Sequence, residues 1–328
     1  LVIEHPELRR PVIHGLLREG ETMNVIASPK VGKSWLVNDL ALAVATGRQW
    51  LETFETEQGN VLIIDNELHR ETSAHRIPKV MDARGIPFDD VGDRICVANV
   101  RGGLKDIYGL ATCFQELSPD RFKLIVLDAF YRFMPRDTDE NDNGTMSQLY
   151  NHLDNFAARL HCSFVLVHHS SKGSQSGKSV TDVGAGAGSQ SRATDTHLVL
   201  RPHEEPNCAV LDAAVRSWPP IEPRVLRWQF PVWNPDDSLD PADLQTARAR
   251  RRRSGARARA RTDEPALKAQ ITKKAKEQGL SARKASRLLR AAEEAELVFR
   301  WKFGVTKSVQ FATEAQPAGS SVRARTPP

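Results

Sequence analysis

The chain has 328 residues, more than one ordinary domain needs, and fits a sizeable α/β core with a small appended unit. It is 40% hydrophobic, no run approaches the roughly 18 apolar residues of a membrane-spanning helix, and Leu1 to Arg10 hold no apolar stretch to direct export. A cytoplasmic protein with no membrane partner is therefore expected. The formal net charge of +5 divides unevenly: from Asp243 onward 21 lysines and arginines stand against 8 acids, a net of +13, and before it 25 stand against 33, a net of −8. An acidic body with a basic tail points to a polyanion met by the tail, nucleic acid above all.

The first 20 residues read as a short leading segment punctuated by Pro6, Pro11 and Gly20. Met23 to Ala27 reads as a buried strand, Ser28 to Gly32 as a tight loop, and Lys33 onward as a helix reaching Ala45. Val61-Leu62-Ile63-Ile64-Asp65 is the continuous apolar run of a strand covered on both faces, with Asn66 and Glu67 just past its end. The alternation continues with a helix from about Glu71 to Arg84, a strand at Arg94 to Ala98, a helix near Lys105 to Leu117 and a strand at Lys123 to Asp128. A polar loop from Pro135 to Gly144, a helix from Met146 to Leu160 and a strand at Ser163 to Val167 follow. Strands and helices trading places predict a parallel sheet with helices on both faces. Such sheets gather ligands at the carboxyl ends of their strands, where Glu67, Asp128 and His168 fall.

Ser170 to Ser191, rich in Gly and Ser, is expected to be a mobile loop; Gly173 to Ser179 inside it imitates a phosphate loop but is too short, and no apolar helix follows. Thr196 to Arg201, Cys208 to Arg216 and Arg224 to Phe230 read as strands of an antiparallel extension, and Pro231 to Arg261 as a linker. From Ala247 to Arg261 that linker carries eight arginines and no acid, whose repulsion works against a stable helix. A helix bearing Leu267, Ile271 and Ala275, a turn at Gly279, a second helix capped by Ser281 and bearing Ala285, Leu288, Leu289 and Ala292, and an alternating stretch from Leu297 to Phe311 close the ordered part. Phe299, Trp301 and Phe303 share one face of that stretch, and Gly304 marks a hairpin turn. Two helices and a hairpin resemble a winged helix-turn-helix, whose second helix presents Arg283, Lys284, Arg287 and Arg290 to phosphates or base edges; a small protein-binding or oligomerisation unit with a solvated basic face fits the same pattern. The domain limits that follow are 1–235, a linker 236–262, 263–312 and a polar, disordered tail 313–328. Cys96, Cys113, Cys162 and Cys208 lie far apart without metal-site spacing and read as reduced core thiols.

The chemistry concentrates at Ala27-Ser28-Pro29-Lys30-Val31-Gly32-Lys33-Ser34, which matches the phosphate-binding pattern G-x-x-x-x-G-K-[ST] with Ala27 where the first glycine usually stands. A loop of this length turns backbone N–H groups inward at a helix N-terminus, a concavity for triphosphate oxygens. Lys33 can place its ammonium on the β and γ phosphates, and the Ser34 hydroxyl can enter a Mg²⁺ shell completed by Asp128 at the end of its apolar strand. Glu67 stands where a carboxylate could deprotonate attacking water, with Asp65 as its rival. ATP and Mg²⁺ are thus the expected cofactors.

With Ile64-Asp65-Asn66-Glu67, Leu127-Asp128, Val167-His168-His169-Ser-Ser-Lys172-Gly173 and Gly186-Ala-Gly-Ser-Gln-Ser-Arg192-Ala-Thr-Asp195 added to the phosphate loop, the chain resembles the RecA-like ATPases, and among them the RepA-type plasmid replicative helicases and their AAA_25 relatives, over about residues 15 to 230. The resemblance implies a RecA-like α/β core with the carboxylate after the second strand, Glu67, as base. It implies that His168 or His169 senses the γ-phosphate and couples it to a DNA-contacting loop, here 170–191, and that Arg192 is supplied to a neighbouring subunit of a ring. The expected protein is a Mg²⁺-dependent ATP hydrolase, assembled as a homo-oligomer, a hexamer, that moves or unwinds DNA, expected to be single-stranded, in replication of a plasmid or mobile element. A regulator or helicase loader using the same fold as a switch, without unwinding, is the competing reading.

Overall fold

The computed structural model describes residues 4, 7–103, 106–135, 142–170, 177–184, 187–246, 266–294, 298–303 and 308–312. The arginine-rich run 247–261, Lys105, Lys172, Gly173, Gly186, Leu297, Gly304 and the tail 313–328 lie outside them, as do most of the imitation phosphate loop and part of the polar loop. The chain divides into two compact units, Leu1–Gln245 and Thr246–Pro328.

In the first unit a two-stranded hairpin, β1 (Pro11–Ile13) and β2 (Leu17–Arg18), occupies the leading segment. The chain then runs β3 (Thr22–Ala27), α1 (Lys33–Thr46), β4 (Val61–Asp65), α2 (Arg70–Arg84), the one-turn α3 (Phe88–Val91), β5 (Ile95–Asn99), α4 (Ile107–Glu116) and β6 (Leu124–Asp128). A 3₁₀ turn at Phe130–Phe133, α5 (Asn143–Leu160), β7 (Ser163–His169), α6 (Ala187–Ala193) and β8 (Thr196–Pro202) follow, then β9 (Cys208–Val215), β10 (Arg224–Gln229) and β11 (Val232–Pro235). These strands form one nine-stranded sheet in the order β11-β10-β9-β8-β3-β7-β6-β4-β5. From β8 to β5 every pairing is parallel, and from β8 to β11 every pairing is antiparallel.

Period-two alternation assigns each strand residue to one of two cores. Val61, Ile63, Leu124, Val126, Val165 and Val167 pack with α1 on one face, while Leu62, Ile64, Ile125, Leu127, Phe164 and Leu166 pack with α4 and α5 on the other. Because both faces are covered, β3, β4 and β6 are buried along their whole length. The mixed, mainly parallel sheet with helices on both faces is the RecA-like α/β fold expected from the sequence.

Three details differ from that expectation. β8 pairs in parallel with β3, so the antiparallel extension begins one strand later. β11, antiparallel to β10, lies in the stretch read as linker. Part of the expected loop, Ala187–Ser191, belongs to α6. All four cysteines are free, but Cys96 and Cys113 are exposed, so only Cys162 and Cys208 are core thiols. No helix among the described residues is long and apolar enough to cross a membrane.

The second unit contains β12 (Ala266–Leu267), α7 (Lys268–Glu277), α8 (Ala282–Glu294), β13 (Phe299–Phe303) and β14 (Ser308–Ala312), with strand order β12-β14-β13 and antiparallel pairing. Its core gathers Leu289, Ala292, Val298 and Phe311, with Ile271 against them. Ser281 begins α8, its hydroxyl accepting from the Lys284 N–H at 3.3 Å. Arg283, Lys284, Arg287 and Arg290 are exposed on that helix. Leu267, expected on the apolar face, is 39% exposed beside α7.

Candidate active site

The register of the sheet assembles the site. Ala27 lies opposite His169 and Asp65 opposite Asp128, while β7 is inserted between the phosphate-loop strand β3 and β6. The residues that follow these strands therefore meet at one carboxyl edge, with a gap of one strand between the loop and the first carboxylate.

The loop itself is built by two left-handed residues, Lys30 at φ 65° and Gly32 at φ 99°. Gly32 could carry no side chain: a Cβ there would sit 3.2 Å from Trp233 Nε1 and 3.3 Å from the Trp228 ring. Ala27, in contrast, is the last residue of β3 and is not left-handed, so the departure from glycine at that position introduces no strain. Its carbonyl accepts from the Ser170 N–H at 3.0 Å, and Ser28 Oγ lies 3.1 Å from Ser170 Oγ, which ties the loop to the end of β7. Helix α1 opens at Lys33 with no side-chain cap on its first amides, and Gly32, Lys33 and Ser34 stand at that N-terminus. Pro29 and Val31 complete the loop, Val31 resting on the core.

Lys33 Nζ donates to the Ala27 carbonyl at 3.3 Å and to His169 Nδ1 at 2.9 Å. Because an ammonium only donates, Nδ1 accepts and the ring proton resides on Nε2, which faces Glu67 Oε1 at 3.7 Å. Tyr131 Oη donates to the same Glu67 oxygen at 3.0 Å. Burial holds the Lys33 ammonium below its ordinary pKa against the opposing pull of Asp128 and Glu67. The His169 hydrogen bond, with Tyr131 and Lys33 adding to it, holds Glu67 below the usual carboxylate range despite some desolvation.

Asp65 is engaged otherwise. One carboxylate oxygen accepts from the N–H groups of Glu67 and Leu68, both at 2.8 Å, and the other from Ser73 Oγ at 3.3 Å. It shapes the turn that presents Glu67. Asn66, fully buried, clasps the neighbouring strand: its amide donates to the Ala129 carbonyl at 3.3 Å and accepts from the Ala129 N–H at 3.0 Å.

Asp128 is buried and hydrogen-bonded to Ser34, and burial followed by the nearby Asp65 and Glu67 pushes its carboxyl up to about 6. A cleft lined by Ser34, Asn38, Asp65, Ser73 and Asp128 opens beside it. A buried carboxylate touching a hydroxyl at the mouth of a phosphate loop is a donor set suited to Mg²⁺, which takes one or two protein oxygens and completes its shell with phosphate and water.

The two histidines part company. His168 is buried, 3.3 Å from Tyr150 Oη and stacked at 4.9 Å on Phe130, and burial lowers its pKa to about 3, so it stays neutral. His169 alone faces Lys33 and Glu67. Arg192 is exposed on α6, and its carbonyl accepts from Arg216 at 2.7 Å. The acids expected to compete for it are engaged elsewhere, Asp195 with Arg216 and the Thr22 N–H, Asp182 with Ser179. The structure thus brings Lys33, Ser34, Glu67, Asp128 and His169 together, turns His168 into the interior and places Arg192 on a separate helix.

Reading the sequence missed Asn66, Tyr131 and Arg132 as site residues, and the Trp228–Trp233 wall behind Gly32. A stretch holding Trp228, Phe230 and Trp233 is too aromatic for a linker, and that density was the available signal.

Among solved structures the chain is similar to the ATPase domain of a helicase, at 14% identity and TM-score 0.49 over 65% of this chain and 82% of that one. It is also similar to the RadB recombinase, at 14% identity and TM-score 0.46 over 69% of this chain and 90% of that one. Residues 2–175, more than half the chain, match the AAA domain family AAA_25, and the protein belongs to that family as a RecA-like P-loop ATPase.

Proposed function

We propose that the protein hydrolyses ATP at this edge with Mg²⁺ and couples turnover to movement on DNA as a ring of identical subunits. The observation that carries the catalytic reading is the convergence of Lys33, Glu67, Asp128 and His169 on the mouth of the phosphate loop. The loop from Ala27 to Gly32 cradles the triphosphate with its amides, and Lys33 moves from His169 to the β and γ phosphates. Ser34 and Asp128 would hold Mg²⁺, which when bound bridges phosphate oxygens and offsets the charge developing on them.

Glu67 takes a proton from water as its oxygen bonds to the γ-phosphorus; the bond from that phosphorus to the β–γ bridging oxygen breaks, and ADP leaves with the electron pair. Glu67 suits this role better than Asp65, whose oxygens already serve the turn. His169, linked to both Lys33 and Glu67, is the sensor of the γ-phosphate, and β7 leads from it into the segment 170–191, read as a DNA contact. Arg192 acts on the nucleotide of a neighbouring subunit, expected within a hexamer. Single-stranded DNA is held by that segment, by the arginine-rich linker and by the exposed basic residues of α8, in a second unit read as winged-helix-like.

The test is the ATPase rate of the full chain with and without single-stranded DNA, alongside strand displacement on a forked duplex. Stimulation by DNA with displacement supports the motor. A rate indifferent to DNA, with no displacement, supports the regulator or loader instead. Lys33→Ala should abolish turnover in either case.

A further inference from the structure

Resting on the assignment of Glu67 as base, we propose that Tyr131 is a positioning residue that fixes which oxygen of Glu67 meets the attacking water. Tyr131 belongs to none of the motifs. It lies on the 3₁₀ turn just after β6, 39% exposed, with its ring 5.4 Å from His169.

The direction of its hydrogen bond follows from its neighbour. Arg132 Nε donates to Tyr131 Oη at 3.1 Å, and a guanidinium has no acceptor. The tyrosine oxygen therefore accepts from Arg132, and its single proton is directed to Glu67 Oε1 at 3.0 Å. Arg132 is itself anchored, its Nη1 donating to the Asn66 carbonyl at 2.7 Å. Asn66 in turn is clasped to the Ala129 backbone. Donor and base thus hang from one stitch between the ends of β4 and β6.

Among the described residues the side-chain contacts to Glu67, from Tyr131 and from His169 Nε2 at 3.7 Å, both reach Oε1. Oε2 remains as the acceptor for the water proton. A glutamate on a partly exposed turn loses rotamer freedom when one oxygen is pinned, and placing the reacting oxygen in advance is where such pinning raises a rate.

Tyr131→Phe keeps the ring and removes only the hydroxyl. In the full chain with Mg·ATP, kcat should fall on the order of tenfold, as expected for one hydrogen bond to a charged group, with KM for ATP unchanged. In a Glu67→Gln background, measured by single-turnover hydrolysis, the same substitution should cost nothing further, because the oxygen it places no longer accepts a proton. An unchanged kcat, or an equal loss in both backgrounds, would overturn the proposal while leaving the base assignment standing. Hydrolysis by Glu67→Gln at the parental rate would remove the base assignment itself.

Discussion

At the scale of single residues, the site is defined by groups that the fold disfavours. Asp128 is an acid kept out of water beside two further carboxylates, and its folded pKa of about 6 lies above its ordinary value of 3.8. The sign follows: its contribution favours the fold below about pH 4 and is lost as pH rises through 6, so at neutral pH the buried anion is a burden. Asp128→Asn should stabilise the nucleotide-free protein at pH 8 by on the order of 1–3 kcal/mol, seen as a higher melting point, with the gain shrinking as pH falls from 6 to 4, while turnover is lost. A melting curve with no such difference would show that Asp128 is not under this strain. Gly32 carries the opposite constraint. Gly32→Ala meets both the left-handed backbone and the Trp228–Trp233 wall, and should cost about 1–2 kcal/mol of stability together with at least tenfold in ATP affinity, measured by calorimetry. The need for glycine at position 32 and the tolerance of alanine at 27 are one backbone statement, since only the first is left-handed. The loop motif was legible in the sequence for this reason, whereas Asn66 and Tyr131 were not, because their roles depend on the end of β6 lying beside the end of β4.

At the scale of elements, one side chain fastens three of them. Arg84, in the last turn of α2, forms a two-pronged pair with the buried Asp39 of α1 at 2.7 and 2.8 Å and donates to Asn234 and the Trp233 carbonyl of β11. Arg84→Ala would leave Asp39 buried without its partner and should cost on the order of 3 kcal/mol. Because β11 carries Trp233 against Gly32, ATP affinity should fall with it; denaturant unfolding and calorimetry on one sample check both. The strands β3 to β7 and their helices were legible as apolar runs and periodic segments. The parallel placement of β8 was hidden because α6, made largely of Ala, Gly, Ser and Gln, shows no apolar period, so the connection before it read as a loop. Asn24 marks the same join. From inside β3 it accepts from Tyr150 Oη at 2.7 Å and donates to the Gln190 carbonyl of α6 at 3.3 Å. A polar residue in an apolar strand was the signal, but its partners are 126 and 166 residues away.

At the scale of the whole molecule, the charge division between an acidic body and a basic end coincides with a structural division after Gln245. If the basic end holds DNA, a chain ending at Gln245 should keep its ATP affinity but bind single-stranded DNA more weakly and with a shallower dependence on salt, because fewer counterions are released. Fluorescence anisotropy across a salt series measures this, and an unchanged slope would place the DNA contact in the body. Everything else depends on the carboxyl edge of the sheet being one ATP-hydrolysing centre with Glu67 as its base. The most direct test compares Glu67→Gln with the parent chain for Mg·ATP affinity by calorimetry and for single-turnover hydrolysis. The expected result is unchanged affinity with hydrolysis slowed at least about a hundredfold; hydrolysis at the parental rate would contradict it.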